Sequence, residues 1–166
     1  MPREIERKFL VANDAWRAAA DRGERLRQAY LAETERAAVR VRIIDDDRAV
    51  LTIKSAEAGL SRQEFEYALP AADAEGLIEL RQGSILDKTR FHVRHAGCTW
   101  EVDVYAGENS GLVIAEIELA SEDASVELPP WLGDEVTGDR RYYAARLAVR
   151  PFRSWPEAAE RGEGRQ

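Results

Sequence analysis

Sulfur, histidine and lysine are scarce in this chain of 166 residues, which has one cysteine, one methionine and two histidines, and lysine only at Lys8, Lys54 and Lys88 among 24 basic residues. The lone Cys98 excludes an intrachain disulfide and a cysteine-based zinc site, and such usage suits a reducing cytoplasm. No stretch approaches the roughly 18 apolar residues of a membrane span, and charge begins at Arg3 with no apolar leader. A cytoplasmic location with no membrane partner is therefore expected. A net charge of -7 argues equally against a general nucleic-acid binder, which needs a basic footprint. Any anion site must be a local basic cluster within an acidic protein. In so arginine-biased a chain the three lysines stand out, because lysine is a compact point charge suited to a single phosphate oxygen or a proton transfer.

The material for a core is present: 45% of residues are hydrophobic, and the length fits one domain, read as residues 1–150 with a tail at 151–166 expected to be partly disordered. After an opening strand, ANDAWRAAADRGERLRQ reads as a short helix capped by Asn13 or Asp14 and ended near Gly23. QAYLAE, AAVRVRII and RAVLTIKS read as strands, with Asp45, Asp46 and Asp47 forming a solvated hairpin turn rather than a metal site. SAEAGLSRQ reads as a loop and QEFEYAL as a strand, then PAADAEGLIELRQG as a helix with Asp73 as cap and its end near Gly83. Three further strands follow in DKTRFHVRHAG, TWEVDVYAG and LVIAEIELAS. A last helix is expected in TGDRRYYAARLAV, capped by Thr137 or Asp139 and placed to close one end of the sheet. The tail shows no periodicity.

Every strand repeats one grammar: EIE, RVR, TIK, EFE, KTR, EVD, EIE. Because side chains alternate across a strand, Glu4, Glu6 and Lys8 share a face, as do Arg40 and Arg42, Thr52 and Lys54, Glu64 and Glu66, Lys88 and Arg90, Glu101 and Asp103, and Glu116 and Glu118. The opposite face is largely apolar. A sheet with one solvated face alternates in the same way, but such a face mixes neutral polar residues with both signs, whereas here nearly every strand carries a like-charged pair. If the sheet closes with helices outside, the charged faces converge on a wet interior, since so many charges could not be buried unpaired. Acidic strands suggest oxygen ligands for Mg²⁺ or Mn²⁺, and basic strands an extended anion. At about 3.3 Å per residue the Glu4 to Lys8 run spans roughly 13 Å, comparable with linked phosphates.

The Glu4-Ile5-Glu6-Arg7-Lys8 stretch, followed by VRVR, LTIK, EFE, KTR, EVD, EIE and TGDRRYY, resembles the CYTH superfamily of triphosphate tunnel metalloenzymes over roughly residues 3–148. The resemblance implies an α+β fold built on an eight-stranded antiparallel β-barrel that forms a charged tunnel, with helices outside. It also implies that Lys8, Arg40, Arg42, Lys54, Lys88 and Arg90 grip a small-molecule triphosphate, and that Glu4, Glu6, Glu64, Glu116 and Glu118 hold divalent metal or orient water. Glu4, Glu6 and Lys8 are the expected catalytic residues, while Tyr30, Glu66, Glu101 and Asp103 are weaker candidates. His92 and Arg94 read as solvent-facing strand-end residues. The expected reaction is metal-dependent hydrolysis of inorganic tripolyphosphate to pyrophosphate and phosphate. The alternatives are adenylate cyclase, a nucleoside or thiamine triphosphatase, and a noncatalytic polyphosphate-binding module. A homodimer is compatible with the chain.

Overall fold

Alternation of side chains, more than helix propensity, governs the architecture in the computed structural model, which describes residues 3–56 and 61–163. Among the described residues nine strands form: β1 (Arg3–Val11), β2 (Glu24–Glu33), β3 (Ala37–Ile44), β4 (Arg48–Ser55), β5 (Ser61–Leu69), β6 (Gln82–His95), β7 (Cys98–Tyr105), β8 (Val113–Glu118) and β9 (Leu132–Glu135). Their order is β5-β4-β3-β2-β6-β7-β8-β1-β9, and β5 also pairs with β1. That pairing, with Arg3 opposite Gln63 and Ile5 opposite Ser61, closes eight antiparallel strands into a barrel. The short ninth strand, not anticipated from the sequence, pairs with β1 at Phe9 and Val11, beyond the reach of β5.

The apolar side faces outward and is covered by short elements. Helix α1 (Ala71–Ile78) places Ala74 and Ile78 on Ala29, Val41, Ile43 and Ala49. Trp16, Trp100 and Trp131 form a second cluster with Phe9, Val93, Val102 and Ile117, in which Trp100 meets Phe9 and Trp131 edge-on. A third cluster gathers Leu86, Tyr105, Leu112, Tyr142 and Leu147, the last from helix α2 (Ala144–Leu147), around Phe152 and Trp155. The latter two belong to the aperiodic tail. Both are 3% exposed, and the chain continues into helix α3 (Pro156–Glu163).

Expectations for the helices and for one loop need correction. The helix expected over residues 12–28 is only a 3-10 turn at Ala15–Ala19 that buries Trp16, and β2 already begins at Glu24. A short alanine run cannot repay the cost of helix nucleation. By contrast ERLRQ alternates, with Leu26 and Gln28 buried while Arg25 and Arg27 pair with Asp87 and Asp46 at the surface. The SRQ read as loop is the start of β5, whereas residues 57–60 of that expected loop lie outside the described residues. The last helix is split in two: Asp139 caps a 3-10 turn at Arg140–Tyr142 by accepting from the Arg141 amide, and α2 follows. Thr137 instead accepts from the Lys8 amide. The triple-Asp hairpin is a turn, with Asp45 and Asp46 at positive φ.

Gly83, expected to end α1, lies inside β6 with φ +69°, where a Cβ would stand 2.6 Å from the Ala148 carbonyl oxygen. That carbonyl accepts from the Ser84 amide and ties the end of α2 to the barrel. Gly83→Ala is expected to destabilise the fold by more than about 1 kcal/mol. Gly97→Ala, also at positive φ but with open space around it, carries the conformational cost alone. Urea unfolding of both variants separates the two contributions, and equal losses would show that the Ala148 contact costs nothing.

Candidate active site

Closing the barrel sorts the charges. Around the ring, β5, β1, β8 and β7 are neighbours and carry Glu64 and Glu66, Glu4 and Glu6, Glu116 and Glu118, and Glu101 and Asp103. The other four, β6, β2, β3 and β4, carry Lys88 and Arg90, Gln28 and Tyr30, Arg40 and Arg42, and Thr52 and Lys54. The interior is thus half acidic and half basic around a cavity of about 840 Å³. All the expected site residues line it except Asp103.

In the acidic half, Glu4 accepts from Lys54 Nζ at 2.7 Å and from Arg62 Nε at 3.2 Å, and Arg62 also donates to Glu6 at 3.3 Å. Lys54 reaches Glu64 at 3.4 Å, and Lys8 reaches Glu116 at 3.5 Å. The cations do not balance the acids. Glu6 lies directly across from Glu118, and Glu116 from Glu101, pairings that repel. Burial, then Glu116 and Glu4, push the Glu6 carboxyl up to about 8, whereas Lys8 and Arg90 overcome the burial of Glu116 and hold it at about 2.

The basic half has the opposite excess. Burial and the neighbouring Arg40 and Arg90 pull Arg42 down to about 9. Lys88, buried and near Arg90 and Arg42, falls to about 7 despite its 2.6 Å bond to Asp103. Asp103 shares the inner face with Arg90, directly opposite it, but is 1% exposed and, contrary to expectation, does not line the cavity: it lies beneath Lys88 and Arg90, accepting from Lys88 and twice from Arg90.

Arg62 lines the cavity but was not among the expected site residues. Its parity with Glu64 and Glu66 was the available signal, hidden by the expected loop. The segment before and within α2 contributes Arg140, Tyr143, Ala144, Ala145 and Arg146 to the cavity lining. The Tyr142 carbonyl accepts from Lys8 at 3.4 Å, the Tyr143 ring lies under Lys8 and Arg62, and Arg146 pairs with Glu33 at the end of β2. His92 stays outside the cavity on Asp21, and Arg94 is exposed.

A divalent cation fits the acidic half, because the raised Glu6 among Glu4, Glu116 and Glu118 marks negative charge that the protein's own cations leave uncompensated. Among the described residues no three His, Cys, Asp or Glu side chains form a ready-made cage.

Comparison with known proteins agrees with this geometry. An inorganic triphosphatase of Acetivibrio thermocellus is 42% identical over 158 residues, covering 95% of this chain and 100% of that protein. One from Nitrosomonas europaea is 38% identical over 151 residues, covering 88% and 97%. The crystal structure of an inorganic triphosphatase aligns with a TM-score of 0.64 at 37% identity, over 88% of this chain and 94% of the other. The CYTH domain family matches residues 2–143. With its hallmark residues gathered in one closed barrel, the chain belongs to the CYTH domain family.

Proposed function

We propose that the protein is a divalent-metal-dependent hydrolase that converts inorganic tripolyphosphate to pyrophosphate and phosphate. The observation that carries this reading is the opposed imbalance within one cavity: Glu6 is raised to about 8 on the acidic side, while Arg42 and Lys88 are lowered to about 9 and 7 on the basic side. A polyanion relieves one imbalance and a cation the other, and a metal-bound phosphate chain supplies both. Perturbed groups of this kind, gathered in a cleft, are the mark of a functional site. The relatives named inorganic triphosphatase support the same substrate class.

In this reading Arg40, Arg42, Lys54, Lys88 and Arg90 hold the phosphate oxygens, joined by Lys8 from within the acidic half. Glu4, Glu6, Glu64, Glu116 and Glu118 would hold Mg²⁺ or Mn²⁺, which supplies Lewis-acid neutralisation of phosphate charge. A water held by the acidic strands attacks the terminal phosphorus in line, and Glu6 in its ionised form accepts its proton. The bond to the bridging oxygen breaks, and the pyrophosphate leaves with its new charge facing Lys88 and the arginines. Fixed cations of this kind need no reorganisation as the charge develops.

An inorganic substrate is favoured over a nucleotide by the lining, which is charged, polar or alanine apart from Tyr30, Tyr105 and Tyr143. Two of these rings already lie against cations, Tyr105 against Lys88 and Tyr143 against Lys8 and Arg62. A cytoplasmic location accords with the free Cys98 and with the lack, among the described residues, of a helix long and apolar enough to cross a membrane.

The test incubates the protein with tripolyphosphate or ATP in Mg²⁺, Mn²⁺ or EDTA and measures phosphate, pyrophosphate and cyclic AMP. Metal-dependent phosphate release, faster from tripolyphosphate, is expected. Cyclic AMP with pyrophosphate would move the assignment to a cyclase, and binding without turnover would reduce it to a phosphate-binding module.

A further inference from the structure

The proposed grip on phosphate consists of charged groups, but the basic half has a neutral member at its centre. Gln28 lies on β2 between the two cation-bearing strands, opposite Arg42 of β3 on one side and Leu86 of β6 on the other. It is 0% exposed yet lines the cavity. Its orientation follows from chemistry: Arg42 Nε donates to Gln28 Oε1 at 2.8 Å, and a guanidinium can only donate, so the carboxamide oxygen must face Arg42. The amide nitrogen is thereby turned away, and Gln28 Nε2 has no partner in the protein.

Few buried donors are left in this condition, because each costs stability unless something else satisfies it. Among the described residues six such side-chain atoms occur, and of these only Gln28 Nε2 and Arg40 Nε belong to residues that line the cavity. They sit on adjacent strands. Arg40 spends one terminal nitrogen on Thr52 Oγ1 at 3.1 Å, and its Nε is left over. Two donors on neighbouring strands of a cationic wall thus lack an acceptor from the protein.

We propose that Gln28 is a neutral substrate-binding residue: with Oε1 fixed on Arg42, its Nε2 donates to a nonbridging oxygen of the phosphate chain, beside Arg40 Nε. The inference deepens the triphosphate reading of the same cavity and rests on it. Neutrality is what the position requires. A lysine or arginine here would add a cation between Arg42 and the Lys88 and Arg90 pair, where Asp103 is the carboxylate that both of the latter already share. A carboxamide adds two donor hydrogens to the grip without adding repulsion.

The experiment measures tripolyphosphate binding by calorimetry in EDTA, where hydrolysis does not intervene, for the wild type, Gln28→Met and Arg42→Gln, across a series of salt concentrations. Gln28→Met keeps the volume and removes both polar ends, and Gln28→Asn, which shortens the reach, is the second variant should methionine not fold. An affinity loss of about 10-fold for the Gln28 variant is expected, with the wild-type dependence on salt retained, because screening acts on charge and Gln28 has none. Arg42→Gln is expected to flatten that dependence. Unchanged affinity in the Gln28 variant would overturn the inference. So would a loss accompanied by the same flattening as in Arg42→Gln, since Gln28 would then act only by positioning Arg42. A wild-type protein that binds no tripolyphosphate would overturn the substrate reading itself, and the inference with it.

Discussion

Glu6→Gln is expected to lower the rate of tripolyphosphate hydrolysis by about 100-fold or more, the range for removing a positioned base, while leaving the metal-free protein no less stable than the wild type. The two effects run in opposite directions because one cause underlies both. Burial, Glu116 and Glu4 together raise the Glu6 carboxyl from 4.5 to about 8. A carboxyl raised in the folded state binds more protons there than in the unfolded chain between those two values. Its stabilising contribution is therefore present below about pH 4.5 and is lost as the pH rises through about 8. Glutamine has nothing to titrate, so the variant should lack this decline and exceed the wild type at about pH 8.5 in EDTA. Urea midpoints at about pH 5 and about pH 8.5, set beside kcat in Mg²⁺, check both halves. A variant that keeps more than a tenth of the wild-type kcat would remove Glu6 from the chemistry.

Asp103→Ala should do the reverse, acting first on the fold. This carboxylate is 1% exposed and accepts from Lys88 at 2.6 Å and from Arg90 at 2.8 and 2.9 Å, and those cations hold it far below the usual carboxylate range. Alanine leaves Lys88 and Arg90 buried beside Arg42 with their shared counter-charge gone, a change of the kind that costs about 3–5 kcal/mol. Tripolyphosphate would bring negative charge back to the same wall. Ligand at about 100 times its Kd stabilises a protein by about 2.7 kcal/mol, and the variant should gain more than the wild type at matched ligand concentration, because Lys88 has lost its carboxylate partner and Arg90 retains only Glu101. Urea unfolding with and without tripolyphosphate in EDTA provides the measurement. A loss under about 1 kcal/mol would show that water already compensates this wall.

Much of the site is legible in the sequence because β-strand parity is local. Glu4, Glu6, Lys8, Arg40, Arg42, Lys54, Lys88 and Arg90 each share a face with a charged or polar neighbour two residues away, and all of them line the cavity. Parity also misleads where it competes with other signals. Alanines at residues 18–20 suggest a helix that hides the first half of β2, and with it the position of Gln28 in the wall. Gly59 and Ser61 suggest a loop that hides Arg62. Asp103 has the correct parity but not the correct depth, since only the two bonds from Arg90 and the one from Lys88 show that it stands behind them. Phe152 and Trp155 carry no period at all. They are core residues because the chain folds back over Leu86, Tyr105 and Leu147.

What the sequence determined by itself is which side chains face inward together on each strand, because the two-residue repeat of an extended backbone fixes that within a few peptide bonds. It did not determine which strands lie side by side. In chain order the acidic and basic strands are mixed: β1 is acidic, β2 to β4 basic or neutral, β5 acidic, β6 basic, and β7 and β8 acidic. Only the pairing of β2 with β6 and the closure of β5 on β1 collect them into two opposed halves. Neighbours in a closed barrel are set by long-range hydrogen bonding between distant segments. The charge imbalance that raises Glu6 and lowers Arg42 and Lys88 is therefore a product of topology, built from faces that the sequence had already composed.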